Sequence, residues 1–405
     1  MLYSIARGCS SAGRALRSHR RGQGFESPQL HKLSLCLIKS LRSRNGHVLL
    51  SPRGIMHIKY KKQLVVFSLS HLVIDFACFY VLMGSYSRNT LDIMSVSMGF
   101  LIYNFIAFAL QPPIGYFADR TRIGHTNFAI WGCLVVVCGL VIPCFPLMKV
   151  CLCAIGNAFF HIGGGIDSLV NANGRFARSG VFISFGAIGV VLGTLAGEFN
   201  WLPMWVVITV LLVCIGLQWV LCRDKNIRTA AIFKLKNSVL KQPYLVIYIS
   251  MLCIVVRAVV GTYTHIPWRS TVFLMILPVV CVFAGKLIGG ILADRFGAKS
   301  VAVVSLFVSA PLLSFFTSNI FLCCVGLLFF NITTAITLCI IVSKLPNNPG
   351  FGFGLTTLAL FVGTTFSFFI VMSPAIQPYL LAAFIIMSVA CIWLVASNNK
   401  LQEGL

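Results

Sequence analysis

Gly115-Tyr116-Phe117-Ala118-Asp119-Arg120 and Gly290-Ile291-Leu292-Ala293-Asp294-Arg295-Phe296-Gly297 are two copies of one short pattern, G-x-x-A-D-R, set 175 residues apart. A single copy carries little weight. Two copies at equivalent places in two series of apolar runs point to an internal duplication. The first series is 63–84, 93–114, 127–146, 147–169, 179–198 and 202–222; the second is 244–264, 271–291, 299–317, 319–343, 350–372 and 376–396. Each copy follows the second run of its series. Each run is close to the roughly 20 apolar residues that cross a bilayer as a helix. The expected fold is therefore an all-α polytopic membrane protein with twelve transmembrane helices in two six-helix bundles. Residues 63–222 make the first bundle, 223–243 a polar linker, 244–397 the second bundle and 398–405 a short tail.

Composition agrees. Of 405 residues, 58% are apolar and 10% charged, where a soluble domain has about 45–50% and about 25%. That excludes an ordinary soluble enzyme. The formal charge of +23 would suggest a nucleic-acid partner if it were spread over one surface, but its location says otherwise. Thirteen of the 32 Lys and Arg precede Gln63. With the N-terminus inside, fourteen of the later ones fall in loops on the cytoplasmic side and only Arg88, Lys149 and Arg269 outside. This is the positive-inside bias. It predicts a multi-pass protein of a bacterial inner membrane with both termini cytoplasmic, and no nucleic acid as partner. A basic arm for nucleic acid or anionic lipid is the other reading of the leader, residues 1–62. Residues 1–55 also resemble a translated transfer-RNA gene, whose T-arm reads Phe-Glu-Ser in one frame, as at Phe25-Glu26-Ser27; Met56 would then be the start. Sixteen Cys are scattered through the apolar runs without a C-x-x-C pair, so they act as small apolar residues, and neither disulfides nor a metal centre is expected.

With the paired pattern placed after the second run of each half, the sequence resembles the major facilitator superfamily, whose loop signature reads G-x-L-A-D-R-x-G-R-[RK]. The second copy matches through Gly297, with Lys299 nearby. The first departs from it, since Thr121-Arg122-Ile123-Gly124 puts its glycine two places late. The resemblance implies a secondary transporter working by alternating access. It also gives the signature a use: Asp119 would face the start of the eleventh helix near Gly350, and Asp294 the start of the fifth near Gly180. A carboxylate is stabilised at a helix N-terminus, and such contacts would latch the halves together. Gly115, Asp119 and Arg120, with Gly290, Asp294, Arg295 and Gly297, are the candidate gating residues. The alternative is a pair of tight Arg-bearing turns that fix topology.

Small residues recur along the fifth run at Gly186, Gly189, Gly193 and Gly197, a face that lets membrane helices approach closely. Gly189-x-x-x-Gly193-Thr194-x-x-Gly197 resembles the antiporter signature G-x-x-x-G-P-x-x-G, with Thr194 in place of its proline. Ser68 to Asp75 (SLSHLVID), Gly156 to Asp167 (GNAFFHIGGGID) and Gly174-Arg175 look like the fosmidomycin-resistance group of facilitators, with Ile162 where that group has a proline. That likeness implies drug efflux.

Ionisable groups inside a membrane are costly and are functional candidates by default. His71 and Asp75 are four apart and share a helix face. His161 and Asp167 lie in the fourth run, Arg257 in the seventh and Lys286 in the eighth. At about 1.5 Å per residue, His71 and His161 sit roughly 12–14 Å from the cytoplasmic boundary, with Asp75 and Arg257 about 20 Å in. In the facilitator fold helices 1, 4, 7 and 10 line the cavity, so the resemblance gathers His71, Asp75, His161 and Arg257 around one site. Asp75, His71 and His161 are the expected proton-coupling residues. Arg257, Lys286, Asn331 and Thr334 are expected to line the substrate cavity. Plainer roles stay open: Asp75 as the neutralising partner of Arg257, His161 as a helix-to-helix hydrogen bonder, Lys286 reaching toward headgroups, Asp167 as a structural group near the interface.

The function expected is proton-coupled efflux of a small organic compound by a monomer without cofactor or metal, its partners being substrate, protons and the lipid bilayer. Uptake of a small organic anion by proton symport is the alternative. A membrane enzyme or non-transporting sensor is the reading from another class. Against an enzyme, no Ser/His/Asp set, carboxylate dyad or metal cluster stands in any loop.

Overall fold

The computed structural model describes residues 52–397 except 91, 144, 223–229, 234 and 236–237, with side chains from residue 61 onward. The stretch that resembles a transfer-RNA gene lies almost wholly outside the described residues, as does the tail at 398–405.

Twelve helices follow in order: α1 Lys61–Asn89, α2 Ile93–Arg120, α3 His125–Val141, α4 Pro146–Val170, α5 Phe176–Phe199, α6 Met204–Leu221, α7 Pro243–Tyr263, α8 Val272–Phe296, α9 Ala298–Phe315, α10 Ile320–Ser343, α11 Pro349–Phe369 and α12 Gln377–Val395. Eleven are long and apolar enough to cross a membrane, and α3 is shorter. The run expected at 127–146 ends at Val141 because Pro143 and Pro146 follow; Pro146 instead opens α4, where its missing N–H costs nothing. The helix of α1 extends back to Pro52, ahead of the apolar run. Its far end loosens into a π turn over Val81–Tyr86. Asp92 caps α2, accepting from the N–H groups of Met94 and Ser95 at 3.3 and 2.8 Å, and these bonds hold its carboxyl below the usual carboxylate range.

The packing is that of a duplicated unit. In the first half α1 packs on α5 and α3 on α4; in the second, α7 packs on α11 and α9 on α10. Between halves, α2 packs on α11 and α8 on α5, so each second helix lies against the fifth helix of the other half. The outside of the bundle is apolar, with Phe273, Phe369, Val371 and Trp205 exposed, as lipid requires.

A stripe on α5 sets its approach to α1. Methyl groups at Gly189, Gly193 and Gly197 would run into the carbonyls of Leu72, Phe76 and Tyr80. Both follow a four-residue step, so one face of each helix is in backbone contact along its length.

The linker is partly visible. The Ala231 N–H donates to the Pro346 carbonyl at 2.9 Å. Phe233, buried, sets its ring 6.0 Å from that of Phe176 at the start of α5.

Candidate functional site

Mid-helix on α1, His71 and Asp75 project from one face toward α4 and α5. The Nε2 of His71 lies 3.3 Å from Asp75 Oδ2, and the Nε2 of His161 on α4 lies 3.9 Å from Asp75 Oδ1. Asn157, one turn before His161, donates its amide to Asp75 Oδ1 at 2.7 Å. All four residues are buried. An added methyl at Gly186 of α5 would stand 2.5 Å from both Asp75 Oδ2 and His71 Nε2, so the glycine leaves the pair its room.

The ring tautomers follow from the outer contacts. His71 Nδ1 is 2.8 Å from the Phe182 carbonyl, and His161 Nδ1 is 2.9 Å from the Asn157 carbonyl. A carbonyl only accepts, so each Nδ1 carries a hydrogen and each Nε2 is left facing the carboxylate. A neutral ring there would point a lone pair at an anion. The arrangement becomes attractive when a proton sits on an Nε2 or on the carboxylate. The three side chains offer ligand atoms within 4.8 Å of one another, a spacing that suits one small cation, proton or metal ion. The rings also fix each other: His71 stacks on Phe182 at 4.6 Å and meets His161 edge-on at 4.5 Å.

Arg257 is not part of this cluster, and among the described residues no ion pair joins it to Asp75, the plainer role left open for that carboxylate. It stays on its own half, donating from Nη2 to Thr334 Oγ1 of α10 at 2.9 Å, with the Phe330 ring 5.3 Å from its Cζ. It is 8% exposed, its Nε has no partner, and it forms no ion pair among the described residues. The reason is geometric: α1 is filled against α4 and α5, so its carboxylate is saturated within the first half. Lys286 on α8 stands between the two groups, close enough for the charges of Asp75 and Arg257 both to act on it. Asn331 turns its amide back to the Leu327 carbonyl at 2.8 Å.

At the end of the bundle that carries the paired signature, each aspartate reaches the other half. Asp119 accepts from the N–H groups of Gly350 and Phe351 at 2.9 and 2.8 Å. Asp294 accepts from Phe176 and Ala177 at 2.7 and 3.0 Å. The second contact thus lies one turn ahead of Gly180, because α5 begins at Phe176 and its free N–H groups are there; Gly180 packs on the Lys286 carbonyl instead. Gly115 and Gly290 permit the approach, since methyl groups there would strike Gly350 and Phe176 respectively. Arg120 covers the Tyr116 ring at 3.3 Å and reaches Asn348 at 3.4 Å, while Arg295 lies 5.4 Å from the Phe296 ring. Asp167 is bound within the first half by Arg178 at 3.2 Å, His125 at 3.3 Å and Asn171 at 2.8 Å, tying α3, α4 and α5 together.

Solved structures share this fold. A variant of the E. coli fucose:proton symporter FucP superposes with a TM-score of 0.62 at 11% identity, over 84% of this chain and 98% of its own. FucP in the outward conformation, described as a Major Facilitator Superfamily transporter, gives 0.55 at 10% identity, over 80% and 97%. The chain has the major facilitator fold. A bacterial homologue of the iron transporter ferroportin in an outward-facing state gives 0.50 at 13% identity, over 82% and 97%. No family model and no curated protein matches the sequence.

Within the facilitator fold the sequence reading overlooked two residues. Asn157 had a signal, an amide one helical turn from His161 on the same face. Gly186 was seen only as part of the small-residue face, because nothing in α5 alone says which groups of α1 lie against it.

Proposed function

We propose that the chain is a major facilitator secondary transporter that couples the movement of a small organic compound to protons through His71, Asp75 and His161. The observation that carries this reading is the tautomer geometry. Two imidazole Nε2 atoms face one carboxylate, and the cluster is stable only when a cation is shared among them. A proton is the cation these residue types exchange near neutral pH. Alternating access would expose the cluster to each side in turn, with Asp119 and Asp294 breaking and remaking their inter-half contacts. The signature end carries Arg120, Arg122, Arg175, Arg178, Lys299 and Lys344, which supports its being cytoplasmic.

The glycine face of α5 and the likeness to the fosmidomycin-resistance group support efflux by antiport. A second reading, uptake by symport, is favoured by a specific observation. Thr194 stands where the antiporter signature has proline and bonds the Val190 carbonyl at 2.8 Å, so α5 runs unbroken from Phe176 to Phe199.

The test uses proteoliposomes that contain a pH-sensitive dye, with and without a metal chelator, challenged with organic acids, neutral sugars and amines. At least one class is expected to move protons only when the protein is present, and not with Asp75→Asn. Proton movement by Asp75→Asn equal to wild type would remove the cluster from coupling. Loss of all movement on adding the chelator would make the shared cation a metal.

A further inference from the structure

The acids of the second half are nearly absent. From residue 244 to 397 the sequence holds one carboxylate, Asp294, and it is occupied by the N-terminus of α5. Arg257 and Lys286 therefore have no counter-ion of their own half. In the first half, Asp119 is taken by α11, Asp167 by Arg178 and Asp75 by Asn157 and the two histidines. A buried guanidinium with a single hydroxyl partner and an orphaned Nε is a high-energy arrangement in a membrane interior. Its guanidinium cannot deprotonate, so only an outside anion can complete it.

We propose that Arg257, held by Thr334, and Lys286 bind the oxyanion group of the transported compound, a carboxylate or a phosphate. This rests on the transporter reading and names its substrate class. Arg257 supplies a planar donor edge, fixed from one side by Thr334 and set over the Phe330 ring, so its remaining N–H groups are pre-oriented for two oxygens. Lys286 of α8, which makes no hydrogen bond or ion pair among the described residues, supplies a second positive charge.

Lys286 also connects this site to the proton cluster. The groups facing Asp75 are His71 on its own helix, Asn157 and His161 on α4, and the charge of Lys286 from α8, with Cys78 and Tyr103 nearby. A proton taken up by the cluster adds positive charge to the bundle interior and so favours an incoming anion at Arg257, and the bound anion favours the proton in turn. The two ligands then bind with positive coupling, which is reciprocal, and they travel together.

The experiment measures thermal stability of the purified full chain with lactate, succinate, inorganic phosphate, methanesulfonate, glucose or choline, at matched ionic strength. A ligand of the folded state raises Tm in proportion to its occupancy. At least one oxyanion is expected to do so, with glucose and choline silent; lactate and succinate against phosphate distinguish the two oxyanion classes. Arg257→Gln and Lys286→Gln should each weaken the response about tenfold or more, with Arg257→Lys intermediate. The apparent affinity of wild type should rise as pH falls from 8 to 6, and Asp75→Asn should flatten that dependence. Wild-type selectivity for a neutral or cationic solute, or full oxyanion response in both Gln variants, overturns the proposal, and the first of these needs no variant to fold. Proton movement driven by a neutral solute without oxyanion binding would sink this site and leave the transporter reading standing. Oxyanion binding without any proton movement would do the reverse.

Discussion

At mid-membrane the first half places one carboxylate among two imidazoles and an amide, whereas the second half places two cations with one hydroxyl and one aromatic ring for company. The difference is in how each can be neutralised. A carboxylate beside imidazoles becomes neutral by taking a proton, so the first half can complete itself from either aqueous side. A guanidinium keeps its charge at any physiological pH and needs an anion brought to it. On the proposed reading, the two halves of one fold divide the work at the midplane: a site for a proton on one side of the seam and a site for a solute on the other.

The largest effect expected is at that division. Asp75→Asn keeps the size of the side chain and removes its charge, leaving His71 and His161 without the anion that makes a shared proton favourable. Uphill, proton-driven flux should fall to the level of protein-free vesicles, while downhill exchange of the substrate persists. Arg257→Gln should do the opposite, weakening solute affinity without changing the number of protons moved per solute. Equal loss of both activities in both variants would break the comparison, because it would make the midplane a single site. Flux assays with and without a proton gradient separate these outcomes.

Next in size are the latches, where the two halves behave alike. Each aspartate accepts from two backbone N–H groups of the opposite half, and bonds to a charged acceptor are the stronger kind. Asp294→Asn turns an amide donor toward one of those N–H groups, so the population of the latched state should drop by about tenfold or more. Cys339 is fully buried and its thiol neighbours Ser179, just behind this contact. Its alkylation, read by mass spectrometry, should rise in Asp294→Asn and in Asp119→Asn. A rise in the first alone would show that the halves are held by one latch.

Much of this was legible in sequence, and the parts that were not share a cause. The twelve runs and the duplication follow from hydropathy and spacing, while the reach of Asp119 to Gly350 follows from the family resemblance together with the affinity of carboxylates for helix N-termini. His71 with Asp75 is readable because both lie on one helix four residues apart. The partner of Arg257 is not readable that way: helical periodicity says which residues share a face, while which face meets which neighbour is set by backbone approach. The glycines of α5 bring that helix onto α1, while Arg257 takes its partner from α10. The end of α3 shifted for a local reason, since two prolines in Pro143-Cys144-Phe145-Pro146 override an apolar run that looked continuous.

The smallest effect concerns the signature turns, where the glycine after A-D-R comes two places later in the first copy than in the second. Gly297 ends α8 and begins α9 with φ 93° and ψ 137°, its N–H donating to the Ala293 carbonyl at 3.0 Å. That conformation is essentially restricted to glycine, and forcing another residue into it costs about 1–3 kcal/mol. In the first copy the chain takes a wider route through Thr121, Arg122 and Ile123, and Gly124 has φ −65° and ψ 143°, extended backbone open to any residue. Gly297→Ala should therefore lower the Tm of the purified protein by a few degrees, and Gly124→Ala should change it little. The latch should survive both, because the carboxylates that form it lie upstream of either turn. If Gly124→Ala were as damaging as Gly297→Ala, the two turns would be held by packing and not by backbone conformation, and the late glycine of the first copy would be a constraint of the fold instead of a consequence of its wider loop.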